Sequence, residues 1–429
     1  MEVKKSLFKS IASNTLFQLI SKVITMTITF GLTFLISKNY GSYGYGLFTI
    51  FQSFPAVFYI ISDFGLNAIG AREISKNFKE VNKIFNNILA IRIFISMVLI
   101  VITILASLFL YSDVNVRFGL ALGSFIIISQ ALVSTTNIIF QIKLRYDLAS
   151  VTNVISYAFL LIFCLILIHY NADISIINLM YVLASFLTFA LNIYLLKKFD
   201  ISLDLKFSKE YFKDLMIASW PLGLMFIFSQ VNFKADSILL SLMKLPDLGL
   251  SNIQTVGVYG LPYKMFEVLL VIPTFIMNST YPVLLDSYNL NINRFKREFK
   301  KLILYMFITG ISVSFFGYIF IDNFLTYEII NYYFSSDFGY SKELLLILIS
   351  GISIFFISQP LSWFLVIREK QKYLPLIYFI SAFFNVGMNY LLIPYFSFYA
   401  SAYLTFISEF LILIILSIYC LRFWPKDAK

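Results

Sequence analysis

The chain has 429 residues, 59% of them hydrophobic and only 13% charged, with a formal net charge of +10. An ordinary soluble domain carries about 25% charged residues, so this composition cannot cover the surface of a soluble protein and excludes a soluble enzyme. The basic excess sits in short clusters between apolar runs rather than along one face, which excludes nucleic acid as the partner and points to orientation in a lipid bilayer.

An apolar run of about 20 residues crosses the hydrocarbon core. The first such run, near 11–36, follows Glu2, Lys4, Lys5 and Lys9 and has no small-residue cleavage site. It reads as a retained span rather than a removed signal peptide. Further spans are predicted near 44–67, 84–111, 117–142, 149–169 and 174–196. A polar stretch from Lys197 to Phe212 follows, and then spans near 213–243, 255–282, 299–321, 343–367, 373–394 and 397–421.

These twelve spans place 25 Lys and Arg residues in the loops and termini of one side. Only Lys38, Arg117, Lys244 and Lys342 fall on the other. The positive-inside rule then predicts that both termini are cytoplasmic. The longest outer loop, about 322–342, is too small for a catalytic domain. The expected organisation is an N-terminal six-helix lobe (1–196), a cytoplasmic linker (197–212) and a C-terminal six-helix lobe (213–429). Tyr45-Gly46-Leu47 opens the second span and Tyr259-Gly260-Leu261 the eighth, each followed by a proline, Pro55 and Pro273. Two halves repeated in the same orientation predict a central cavity and substrate path between the lobes.

Eight charges remain inside the spans: Lys22, Arg92, Lys234 and Lys264, with Asp63, Asp236, Glu267 and Glu409. Each costs at least about 2.5–3.5 kcal/mol at a helix centre, so they are expected to face one another or a hydrated interior. Polar stripes at helical spacing accompany them: Asn14, Gln18, Lys22, Thr25 and Thr29; Gln130, Ser134, Asn137 and Gln141; Gln230, Lys234, Ser237 and Ser241; Ser381, Asn385 and Asn389. Gln18, Thr25, Gln130, Asn137, Gln230, Asn385 and Asn389 are therefore expected to line the cavity, the alternative being interhelical glue. Lys264 and Glu267, three apart, are spaced to neutralise each other. Lys234 and Asp236, two apart, point to different faces and need separate partners. Asp63 has Arg72 as a candidate partner, or a helix end to cap. Glu409, with Ser401 and Thr405 on its face, is the first candidate for ion coupling; Asp236, Glu267 and Asp63 follow.

His169 is the single histidine, and Cys164 and Cys420 both fall inside spans. A histidine metal site and a disulfide framework are thereby ruled out, and a Ser-His-Asp arrangement is hard to assemble. A phosphate-cradling glycine loop is also missing, so the chain is not its own ATPase. No catalytic residue, metal or cofactor is expected.

Several ordered patterns carry a resemblance. Asn14-Thr15-Leu16, Lys22, Gly41-Ser42-Tyr43-Gly44-Tyr45-Gly46-Leu47, Asp63-Phe64-Gly65-Leu66-Asn67 and Ala71-Arg72-Glu73-Ile74 open the chain. Val256-Gly257-Val258-Tyr259, Lys264, Pro273 and Tyr281-Pro282 follow, then Asn385, Asn389-Tyr390, Leu392-Ile393-Pro394 and Glu409. Together the set resembles the Wzx-type polysaccharide flippases of the multidrug/oligosaccharidyl-lipid/polysaccharide exporter (MOP) superfamily. The resemblance implies an all-α membrane protein of about twelve helices in two lobes, similar to the multidrug MATE transporters. It implies translocation of undecaprenyl-diphosphate-linked oligosaccharide units, O-antigen or a related surface polysaccharide, from the cytoplasmic to the periplasmic leaflet of a bacterial inner membrane by alternating access coupled to an ion gradient. A polysaccharide polymerase and a chain-length regulator are the protein partners it allows, and two lobes in one chain make a monomer sufficient. Lys22, Arg92, Lys234 and Lys264 would supply charge complementary to the diphosphate or acidic sugars. The competing readings are a multidrug or cation antiporter, a lipid II-type flippase, and a membrane polysaccharide polymerase or ligase. One departure stands out: the family's glycine-rich turn after Ile-Pro is replaced by Phe396-Ser397-Phe398-Tyr399-Ala400-Ser401-Ala402.

Overall fold

A computed structural model describes residues 2–76, 78–205, 207–325, 334 and 336–425, without the side chains of 2–16, 76, 210, 282, 324 and 336. Asn14, Lys206 and most of the 322–342 loop thus lie outside the described side chains. The helices are α1 (Glu2–Asp63), α2 (Leu66–Lys76), α3 (Val81–Leu110), α4 (Val114–Ser124), α5 (Ile126–Ile142), α6 (Tyr146–His169), α7 (Ile174–Leu196) and α8 (Lys209–Leu242). They continue as α9 (Asn252–Leu269), α10 (Val271–Leu290), α11 (Ile292–Phe324), α12 (Ser341–Ser350), α13 (Ile352–Ile367), α14 (Leu374–Phe396) and α15 (Phe398–Arg422). No strand occurs among the described residues.

Among the described residues, ten helical stretches are long and apolar enough to cross a membrane, and α12 with α13, bent by 41°, makes an eleventh. The first stretch, Phe17–Ser75, has 59 residues, more than twice the length of one crossing. It is broken at Gly41, where φ is 63° and ψ −167°, between the first and second expected spans. Counted as two crossings, it brings the total to the twelve that were expected. Large apolar side chains such as Phe94, Val101, Phe315, Phe316 and Phe383 are exposed on these helices, as suits a protein whose solvent is lipid.

Short polar residues set the helix ends that face away from the apolar runs. Asp113 accepts from Asn115 N at the start of α4, and Asp173 from Ser175 N at the start of α7. Ser251 and Gln254 form a capping box on α9, and Asn291 caps α11. Each satisfies amides that the first helical turn leaves without partners. Pro273 falls in the first turn of α10, where its missing N–H is tolerated, and the helix breaks just before it at Leu270.

The chain divides into two compact units, Met1–Asn39 with Ile50–Ile227, and Tyr40–Thr49 with Phe228–Lys429. In the first, α3 packs on α5, α5 on α7, α6 on α7, and α2 on α3 and α5. Its core includes Leu66, Ile69, Phe85, Ile88, Ile91, Ile139, Phe140 and Leu196. In the second, α11 packs on α13, α13 on α15, α14 on α15 and α9 on α12. One end of this unit is closed by rings, with Phe364 stacked on Trp424 at 5.6 Å and Phe299 5.1 Å from Phe364.

The second unit takes in residues 40–49 because glycines allow a close approach there. A Cβ at Gly46 would collide with the carbonyl oxygen of Ile253, and one at Gly257 with that of Ser42. Gly260 lies against Thr49. The two Tyr-Gly-Leu motifs therefore belong to segments that pack on each other. At the α14–α15 junction, where glycine was missing from the sequence, Ser397 itself takes φ 51° and ψ −136° and is buried. The turn keeps a glycine-type backbone without the glycine, at a cost in strain.

Candidate functional site

In the first unit the chain breaks after Asp63, at Phe64 (φ 39°) and Gly65 (φ 74°). This break lets Asp63 and Asn67 meet α3 and α5. Arg92 Nη2 donates to Asp63 Oδ1 at 2.5 Å and to Asn67 Oδ1 at 3.0 Å, and Nη1 donates to Thr135 Oγ1 at 2.9 Å. Ser134 Oγ donates to the same Asp63 oxygen at 3.2 Å. The Arg92 side chain has no exposed surface. Two expectations are corrected here. Arg92 is not a cation on a cavity wall but the buried counter-ion of Asp63, and Asp63 pairs with Arg92, not Arg72, which lies beside Glu73.

The second unit brings the other cations of its spans together. Lys234 Nζ lies 2.6 Å from Glu267 Oε1, and Lys264 Nζ 3.1 Å from Glu267 Oε2. One carboxylate thus bridges two ammonium groups, so the formal charges of these three side chains alone sum to one positive. The three side chains keep 19%, 38% and 22% of their surface, so the group is reachable, unlike Arg92. Lys234 also sits 5.9 Å above the Tyr263 ring. The spacing of Lys264 and Glu267 predicted one of these bonds; the long-range bond to Lys234 was invisible in the sequence. Glu267, expected as a coupling acid, is held by both lysines. Lys22, in the first unit, is exposed.

Asp236 faces away from Lys234, as their spacing required, into a neutral network. Tyr259 OH and Thr405 Oγ1 donate to its Oδ2 at 2.9 and 3.2 Å, and Asn389 Nδ2 donates to Oδ1 at 2.9 Å. Asn389 also accepts from Ser401 Oγ at 2.8 Å, and Asn385 Nδ2 donates to Ser408 Oγ at 3.0 Å. Among the described residues no Lys, Arg or His pairs with Asp236, which is 1% exposed. Glu409 accepts from Ser358 Oγ and borders a cavity of about 10 Å³ with Asn232, Tyr378, Asn385, Thr405 and Ser408, room for about one water. Asn385 and Thr405 belong to both environments, so two buried carboxylates share one polar region.

The polar stripes divide between the two readings. Gln130 Nε2 donates to Ser185 Oγ at 2.8 Å, joining α5 to α7. The hydroxyls of Thr25 and Thr29 bond to carbonyls of their own helix. Asn385 and Asn389 serve the Asp236 network. Gln18, Asn137 and Gln230 are half-buried. Tyr259, Thr405, Asn67 and Thr135 are network members that the sequence reading did not single out as site residues. Asn67, one turn beyond Asp63, and Thr405, one turn before Glu409, carried a spacing signal; Tyr259 was marked only by its repeated motif, and Thr135 by nothing. No group of three or more His, Cys, Asp or Glu residues suited to a metal ion occurs among the described residues.

Comparisons with known proteins agree with this architecture. Residues 10–287 match the family model described as polysaccharide biosynthesis protein. The fold is similar to that of the lipid II flippase MurJ in an inward closed conformation, with a TM-score of 0.75 at 16% identity, covering 94% of this chain and 87% of that one. An inward-facing multidrug resistance MATE transporter of the MOP superfamily gives 0.69 at 13% identity, covering 93% and 94%. A MOP superfamily transporter from Pyrococcus furiosus, noted for the reverse polarity of its binding pocket, gives 0.64 at 14%, covering 97% and 95%. No curated protein matches the chain in sequence.

Proposed function

Since the chain belongs to the polysaccharide biosynthesis protein family, we propose that it is a flippase for undecaprenyl-diphosphate-linked oligosaccharide, moving the unit between leaflets by alternating access. The observation that carries this reading is the partly exposed triad of Lys234, Glu267 and Lys264. A lone lysine–glutamate pair is neutral and offers an anion little. Two lysines on one carboxylate leave a positive site whose ammonium groups exchange a carboxylate oxygen for a phosphate oxygen at little loss. Lys22, exposed on α1, is proposed as a separate contact of the first unit with anionic substrate. The likeness to MurJ supports a lipid-linked substrate, and the triad addresses the diphosphate that such substrates share rather than their sugars.

O-antigen or a related surface polysaccharide is the proposed glycan, and residues 1–196 and 213–429 are the proposed moving lobes. The bacterial inner membrane, with both termini in the cytoplasm, is the proposed location. Polysaccharide polymerase and chain-length regulator remain proposed partners. Asp236, buried among neutral donors, is the proposed coupling carboxylate, with Glu409 as its neighbour. A carboxylate in that position gains by taking up a proton or a small cation.

The test replaces Lys234 and Lys264 with Gln in a strain whose surface glycan depends on this chain. Each variant is expected to remain in the membrane at normal level and to lose most surface glycan while lipid-linked units accumulate. Full glycan display in the double variant would refute the assignment. For coupling, Asp236→Asn is expected to abolish the response of reconstituted transport to an imposed proton or sodium gradient. An unchanged response removes Asp236 from the mechanism.

A further inference from the structure

Three asparagines at the start of α3 hold the segment that joins α7 to α8. Asn82 Nδ2 donates to Asp200 O at 2.9 Å, and its Oδ1 accepts from Ser202 N at 3.0 Å. One turn on, Asn86 Nδ2 donates to Ser202 O at 2.8 Å and Oδ1 accepts from Asp204 N at 2.9 Å. Asn87 Oδ1 accepts from Ser208 N at 2.9 Å. The side-chain amides stand in for the peptide groups of a neighbouring strand. They bond residues two apart, as the edge of an extended chain requires. Asn86 and Asn87 are buried, so the segment is tied rather than loosely draped.

This tie sorts the segment's side chains. Ser202, Asp204, Phe207 and Ser208 border a cleft of about 530 Å³ with Lys79, Glu80 and Lys83, so the alternation holds over 202–205. Leu203 and Leu205 do not border it and are 52% and 59% exposed. Two leucines held outward on either side of Asp204 lose hydrophobic free energy if they face water. The segment is tied to the polar first turns of α3, at the start of the membrane-length stretch Phe78–Leu110, the end of a crossing where the headgroup region is expected. Lys197, Lys198, Lys209 and Lys213 flank it, all exposed.

We infer that the tied segment carrying Leu203 and Leu205 forms an interfacial anchor. Leu203 and Leu205 enter the headgroup region of the adjacent leaflet, and the flanking lysines bind the phosphates of anionic lipids. The anchor rests on the membrane fold alone and is independent of what the protein carries.

The test is electron paramagnetic resonance on single nitroxide labels at 202, 203, 204 and 205. Cys164 and Cys420 are replaced by Ala, and the protein is reconstituted in phosphatidylcholine vesicles with or without phosphatidylglycerol. Labels at 203 and 205 are expected to be relaxed more by oxygen, which concentrates in lipid, than by an aqueous nickel chelate. Labels at 202 and 204 are expected to show the reverse. Phosphatidylglycerol is expected to deepen 203 and 205, and K197Q/K198Q/K209Q/K213Q to cancel that deepening. Nickel-dominated relaxation at 203 and 205 would mean that the leucines face water and would overturn the anchor. Oxygen-dominated relaxation at all four positions would overturn the alternation on which it rests. A label that relaxes alike with and without phosphatidylglycerol would overturn the anionic-lipid contact.

Discussion

Arg92 and Lys264 are both basic residues inside apolar spans, yet their surroundings assign them opposite work. Arg92 is fully enclosed with Asp63, and removing one member of such a pair leaves a buried charge without a counter-ion. Arg92→Gln and Asp63→Asn are each expected to lower stability by about 3–5 kcal/mol. The double variant is expected to recover much of that loss, which thermal unfolding in detergent would show; strictly additive losses would speak against the pair. Lys264→Gln, in contrast, leaves Glu267 bonded to Lys234. Its effect on stability is expected to stay below about 1 kcal/mol, while the proposed glycan transport falls. Ser397 is a third case. Its φ of 51° with ψ −136° suits glycine, so Ser397→Gly is expected to raise stability by about 1 kcal/mol, measured by the same melting experiment.

At the scale of elements, hydropathy alone located the spans, because about 20 apolar residues in a row have few other uses. Their breaks were less legible. The span predicted over 343–367 is bent at Gly351, where a Cβ would collide with Phe406. The second span ends at Asp63 because Phe64 and Gly65 turn the chain and allow Asp63 to reach Arg92. Neither break has a proline to announce it; each is imposed by a neighbour distant in sequence. The same logic separates glycines that look alike. Gly257→Ala is expected to cost about 1–3 kcal/mol, since its Cβ meets the backbone at Ser42. Gly31→Ala meets nothing within 4 Å and is expected to be neutral or slightly stabilising. Equal effects on the melting temperature would contradict the packing of residues 40–49 against α9.

For the whole molecule, the distribution of basic residues makes a claim about orientation that is separate from the fold. A cysteine at Asp247 is expected to react with an impermeant maleimide in intact cells, and one at Lys370 only after the membrane is opened. The opposite pattern would invert the topology and with it the direction of transport.

Composition and the order of apolar runs determined by themselves that this chain is a helical membrane protein with about twelve crossings. That much follows from the solvent: hydrocarbon accepts few structures, and their length is set by its thickness. The sequence also showed which charges lie inside the spans, because burying each is costly wherever it goes. It did not show which charges meet. Arg92 and Asp63 are 29 residues apart and Lys234 and Glu267 33 apart, and pairing at such distances depends on how helices pack. Only the tertiary structure separated a cation sealed in a structural pair from two cations left partly open around one carboxylate, because accessibility belongs to the folded arrangement and not to any residue alone.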